Sequence, residues 1–193
     1  MRLYLLRHGI AEDAAPTGRD ADRELTIKGV RKLKQVLKLA AACRMSPGLI
    51  VSSPLIRARQ TAKVAAECLG YDGEVTETKA LSPGGSPRSV WDEVRSHREV
   101  EELLLVGHEP LFSELYSYFL DSPTLVVNVK KGSIGRIDVN AGLPAPRGEL
   151  RWLLVPPGSS RKEDATDESG TPGTSGSRRP SARPRAVRPR PAQ

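Results

Sequence analysis

The chain has 193 residues, with 30 Lys and Arg against 23 Asp and Glu and a formal net charge of +7. That length allows one domain with a proper core. No apolar run approaches the ~18 residues of a bilayer span, and no charged stretch leads into an apolar run and a small-residue cleavage site, so the expectation is a cytoplasmic chain. The charge is uneven: residues 156–193 hold eight Lys or Arg and four acids, which leaves a mild 22 against 19 for residues 1–155.

In chain order, RLYLL (2–6) reads as a short buried strand. A polar loop follows, broken by Pro16 and Gly18, in which Glu12 and Asp13 read as solvated. Residues 26–44 have apolar side chains at helical spacing (Val30, Leu33, Leu37, Ala40, Ala41), with Thr26 as N-cap and Arg31, Lys32, Lys34 and Lys38 on the solvated face. LIVSS (49–53) is the second strand. A helix then opens with Ser53 as N-cap and Pro54 at its first position, and Gly70 closes it. EVTET (74–78) is a weak third strand, and Ser86-Pro87 starts a charged amphipathic helix that ends at His97, a surface residue on this reading. ELLLVGH (102–108) is a strongly apolar strand, followed by a helix from Pro110 to Leu120. TLVVNV (124–129), SIGRIDV (133–139) and ELRWLLV (149–155) read as three strands, the last two as a hairpin. Trp91 and Trp152 read as packing residues. Cys43 and Cys68, with no CxxC pair or clustered histidine, read as small buried apolar side chains.

Strands alternating with helices predict an α/β layered sheet, parallel in its first half with an antiparallel end. Past Val155 the chain is rich in Pro, Gly, Ser and Arg and nearly without apolar residues. Such a segment buries too little surface to offset its chain entropy, so residues 156–193 are expected to be a disordered basic tail beside a domain at 1–155.

Three strand ends carry the chemistry. The first delivers Arg7-His8-Gly9, and the second delivers Ser52-Ser53-Pro54 with Arg57 and Arg59 one turn on. The apolar fourth delivers Gly107-His108-Glu109. Ligands of open parallel sheets sit beyond the carboxyl ends of the strands. Arginine presents planar, bidentate donors matched to phosphate oxygens, and a helix N-terminus adds partial positive charge. A neutral imidazole is a nucleophile, kept neutral by neighbouring cations, while a second, protonated imidazole can stabilise charge developing on phosphoryl oxygens. Gly9 is expected to let the backbone pass close to the substrate. Arg59 lies two residues beyond Arg57 and should point away. Ser53 reads as a cap rather than a ligand.

At these residues the chain resembles the histidine phosphatase superfamily, also called phosphoglycerate mutase-like. LLRHG, SSPLIRARQTA and VGHEP match its three signatures in order, and LTIKG (25–29) is similar to its usual lead into the first helix. The short span between the third and fourth strands looks most like the SixA branch of phosphohistidine phosphatases, over roughly residues 1–155. The resemblance implies a three-layer α/β/α sandwich. It also implies a nucleophile, His8, that becomes phosphorylated, and a phosphate-binding set completed by Arg7, Arg57 and His108. No cofactor and no metal are called for. The implied partner is a protein bearing phosphohistidine, such as a phosphorelay component, admitted to an open crevice by short loops. One departure concerns the proton donor: ALSPGGSPRS (80–89), where the family's carboxylic acid often lies, has no Asp or Glu. The P–N bond of phosphohistidine is weak and imidazole leaves readily, so the gap favours that substrate. Glu109 stands under two readings, as the missing acid or as a first-turn residue favoured by the helix dipole. Two alternatives remain beside the main reading. One is a phosphatase of small phosphomonoesters or phosphoanhydrides. The other is a non-enzymatic phospho-ligand or nucleic-acid module using the tail, which has cations for phosphates but no aromatic residue to stack on bases.

Overall fold

The computed structural model describes residues 1–158, so the expected tail lies outside the described residues from 159 onward. The strands are β1 (Arg2–Arg7), β2 (Leu49–Ser52), β3 (Thr76–Glu77), β4 (Glu102–Gly107), β5 (Ile134–Val139) and β6 (Gly148–Leu154). The helices are α1 (Ile27–Ala42), α2 (Ile56–Leu69), α3 (Pro87–Ser96) and α4 (Leu111–Phe119). One sheet runs in the order β3-β2-β4-β1-β5-β6. Its β3, β2, β4 and β1 are parallel, and β5 and β6 add an antiparallel end. The expected three-layer α/β/α architecture is what these elements form.

The central strands β1 and β4 are apolar over 3–6 and 103–106 because both their faces are covered there. Tyr4, Leu6, Leu104 and Val106 project to the side packed by Leu33 and Leu37 of α1 and Ala58 and Ala62 of α2. Leu3, Leu5, Leu103 and Leu105 project to the side packed by Trp91 of α3 and Phe112, Leu115 and Phe119 of α4. Local signals set the helix ends. The Thr26 hydroxyl accepts the Gly29 N–H at 2.8 Å, and Ser86 and Ser89 form a capping box ahead of Pro87. Gly70 closes α2 with φ of 67°, a left-handed conformation that favours glycine.

Four expectations need correction. The strand at 74–78 shrinks to Thr76–Glu77, both exposed, because that segment has one apolar side chain to bury. Residues 124–129 keep a strand's alternation, with Val129 buried and Val126 exposed, yet join no ladder; the carbonyls of Val127 and Val129 accept side-chain hydrogen bonds instead. Helix α2 starts at Ile56 with Leu55 as N-cap, so Ser53 is no cap. Cys43, the C-cap residue just past α1, is exposed, and Cys68 on α2 is half-buried rather than buried. Trp91 is buried, as expected, and its indole N–H donates to the Pro144 carbonyl.

Candidate active site

Strand register brings the three motifs to one level. Arg7 pairs with Gly107 across β1 and β4, and Ser52 pairs with Val106 across β2 and β4. Each ladder extends one bond further: His8 N–H donates to Gly107 O at 3.0 Å, and Ser53 N–H donates to Val106 O at 2.9 Å. His8, Ser53 and His108 therefore leave the sheet side by side. The two imidazole rings lie 4.9 Å apart between centroids, tilted by 50°.

The backbone fixes the chemistry of His8. Its Nδ1 lies 2.8 Å from the Gly9 carbonyl oxygen, which can only accept. Nδ1 therefore carries the proton, and Nε2 carries the lone pair that a nucleophile needs. Gly9 is anchored in turn, its N–H donating to Thr61 Oγ1 at 3.1 Å while that hydroxyl donates to the Arg57 carbonyl at 2.7 Å. The missing Gly9 side chain faces Leu25 Cδ2 and the Gly29 backbone rather than the crevice. In the structure Gly9 is held through its carbonyl and N–H. His108 Nε2 lies 2.9 Å from Ser53 Oγ, so Ser53 orients the second ring.

Both expected arginines are present and buried, each 4% exposed. Arg7 donates from Nη1 to the Val129 carbonyl at 2.7 Å, which places its guanidinium at the end of the 124–129 segment. Arg57 donates to the carbonyl oxygen of Asp20 at 2.8 Å and to its Oδ2 at 3.0 Å. The other carboxylate oxygen of Asp20 accepts from Arg23 Nη1 at 2.8 Å, and Arg23 Nε donates to the Glu12 carbonyl at 2.6 Å. One carboxylate thus bridges two buried guanidiniums. Burial opposes its ionisation, but the hydrogen bonds and charges of Arg23 and Arg57 outweigh that and hold Asp20 below the usual carboxylate range. Arg59 points away, as its position on α2 predicts, and pairs with Glu77 at 2.7 Å. Glu12 and Asp13 are exposed, and His97 lies on the surface side of α3, 3.2 Å from Glu93.

Asp20, Arg23 and Thr61 were not foreseen as part of this site. Asp20 and Arg23 sit in a stretch that reads as an ordinary polar loop, and their i, i+3 spacing matches the single 3-10 turn at Asp20–Asp22. The acid-free stretch 80–89 holds a short turn and supplies no carboxylate. Glu109, by contrast, is half-buried, and its Oε2 is 2.7 Å from Ser113 Oγ. Burial, partly offset by the Ser113 hydrogen bonds and the Arg7 charge, pushes its carboxyl up to about 7. The crevice is less open than the short loops suggested: His8 and His108 are 1% and 2% exposed.

Residues 3–82 match the pattern of the family described as "Histidine phosphatase superfamily (branch 1)". An uncharacterised protein of Picosynechococcus sp. is 40% identical over 162 residues, covering 81% of this chain and 97% of the relative. The chain belongs to the histidine phosphatase superfamily. Within it, the phosphohistidine phosphatase SixA of Escherichia coli K12 is 25% identical over 117 residues, 60% of this chain and 71% of the relative. A solved structure of the protein histidine phosphatase SixA complexed with tungstate superposes with a TM-score of 0.71 at 21% identity. It covers 81% of this chain and 97% of that one, a likeness of fold. Membership supports a phosphatase activity. Among the described residues no helix is long and apolar enough to cross a membrane.

Proposed function

We propose that this histidine phosphatase hydrolyses phosphohistidine on a protein through a covalent phospho-His8 intermediate. The observation that carries this reading is the pair of imidazoles 4.9 Å apart, with the His8 tautomer fixed by the Gly9 carbonyl and the motif arginines Arg7 and Arg57 both buried. Arg7 and Arg57 bind the phosphoryl oxygens, which are held by positioned cations rather than by water. The Nε2 lone pair of His8 attacks phosphorus as the bond to the leaving nitrogen breaks. His108, oriented by Ser53, donates to the equatorial oxygens as charge builds on them. Water then hydrolyses the phosphohistidine and restores the ring. The residues need no cofactor for these steps.

The phosphohistidine substrate is supported by the likeness to SixA and by the absence of an acid in 80–89. A cytoplasmic phosphorelay protein is the partner this chemistry fits. A second reading, a phosphatase of small phosphomonoesters, is favoured by the buried carboxyl of Glu109, which could protonate an ester oxygen. Assay of a phosphorylated histidine protein against a panel of phosphomonoesters separates the two. The first reading expects His8→Ala to abolish turnover of phosphohistidine and expects that substrate to be preferred. A preference for P–O esters by orders of magnitude would replace it with the second.

A further inference from the structure

Ser113 stands between two oxygens. Its Oγ lies 2.7 Å from Glu109 Oε2 and 2.8 Å from the Val127 carbonyl oxygen. A hydroxyl has one proton, and both a carbonyl and an ionised carboxylate only accept. With Glu109 ionised, Ser113 satisfies one contact and leaves two acceptors' lone pairs competing for a single proton. With the proton on Oε2, the carboxyl donates to Oγ, Ser113 donates to Val127, and both contacts are hydrogen bonds. Glu109 Oε1 is buried with no hydrogen-bond partner among the described residues, a costly place for part of an anion. The groups that face this carboxyl are Arg7 from β1 and the Ser113 N–H from α4, which favour the anion, Glu114 from α4, which disfavours it, and the neutral Tyr116 phenol. The shared Oγ contacts and the buried, unpartnered Oε1 therefore favour the protonated form of Glu109, immediately after His108 and beside Arg7.

We propose that Glu109 is the proton donor to the leaving atom, taking the place of the acid missing from residues 80–89. The proposal rests on the phospho-His8 reading. As His8 Nε2 bonds to phosphorus, the bond from phosphorus to the leaving atom breaks, its electron pair stays on that atom, and the Glu109 proton moves onto it. Ser113 then turns its O–H from Val127 to the new carboxylate. In the second half, the carboxylate takes a proton from the attacking water, the oxygen bonds to phosphorus, and the N–P electron pair returns to Nε2. Ser113 and Val127 also line a surface groove of about 590 Å³, which gives this hydroxyl a route to solvent protons. The substrate class follows: with an acid in place, the site can expel an alkoxide as well as an imidazole, and phosphomonoesters come within its range.

The test uses substrates that share a phosphoryl group and differ in the basicity of the leaving group: p-nitrophenyl phosphate, phosphoimidazole and glycerol phosphate. For Glu109→Gln, the single-turnover rate at which glycerol phosphate labels His8 should fall by about 100-fold or more, while labelling by p-nitrophenyl phosphate, whose leaving group needs no proton, falls far less; hydrolysis of the labelled His8, which also uses Glu109, should slow equally with every substrate. Equal losses of labelling rate on all three, or none on glycerol phosphate, overturn the proposal. The wild-type chain gives a second measurement that needs no variant. At about pH 6 its rates should depend weakly on leaving-group basicity, and at about pH 8.5 steeply, because the proton is gone. The same dependence at both pH values overturns the proposal. Absence of phospho-His8 in the wild-type chain with every substrate overturns the phosphatase reading instead, and this proposal with it.

Discussion

The Ser53 hydroxyl is fully buried and lies against His108 Nε2, and its neighbour Ser52 turns its own hydroxyl to the Ser53 carbonyl. Ser53→Ala should leave the fold intact, cost about 1 kcal/mol of stability, and lower kcat about tenfold with little change in KM, measured by steady-state kinetics and denaturant unfolding. Asp20 carries a second residue-scale expectation. Its depressed carboxyl means that its contribution is present at neutral pH and is lost as pH falls through the depressed value. Asp20→Asn, at a side chain 60% exposed and therefore screened, should cost about 1 kcal/mol at pH 7, and the difference from wild type should vanish under strong acid. A difference that persists at low pH would show that the carboxylate charge is not what bridges Arg23 and Arg57. The sign is opposite for Glu109: its raised carboxyl favours the folded state below the ordinary carboxylate range, and that contribution is lost as pH rises through about 7. Thermal unfolding of Glu109→Gln should accordingly lose less stability than wild type between pH 5 and 8 (about one bound proton's worth of slope).

At the scale of elements, the motif LTIKG has a physical cause. A Cβ on Gly29 would overlap the Ile10 carbonyl, where the first turn of α1 crosses the chain just beyond His8. Gly29→Ala should therefore cost about 1–3 kcal/mol and displace the His8 loop, seen as a lower melting temperature together with reduced activity. Wild-type stability in that variant would mean that α1 does not press on the loop. Helices and central strands were legible in the sequence because their signals are local: apolar periodicity, Thr26 and Ser86 caps, and Gly70 at a left-handed position. The segment 124–129 was not. Its alternation is that of a strand, and only the tertiary fold decides that its carbonyls go to Arg7 and Ser113 rather than to a neighbour. Ser53 departs from its local pattern for the same reason. Ser-Pro before an apolar run is a helix-start pattern, but the helix begins later, at Ile56, and frees the hydroxyl for His108.

At the scale of the molecule, inserting β4 between β2 and β1 makes the site. It sets three strand ends in register, so residues 8, 53 and 108 meet although they are far apart in the chain. The meeting of His8 and His108 could be expected because each motif falls at the end of an apolar strand. The Asp20 bridge and the burial of Glu109 could not, since both depend on how loops and α4 close over those ends. The most direct test of the account is a rapid acid-free quench of the chain with a phosphorylated histidine protein or phosphoimidazole, followed by peptide mapping by mass spectrometry. One phosphoryl group on His8 in the wild-type chain, and none with loss of turnover in a folded His8→Ala variant, is the predicted result. Phosphate release without label on His8, or undiminished turnover by His8→Ala, would contradict it.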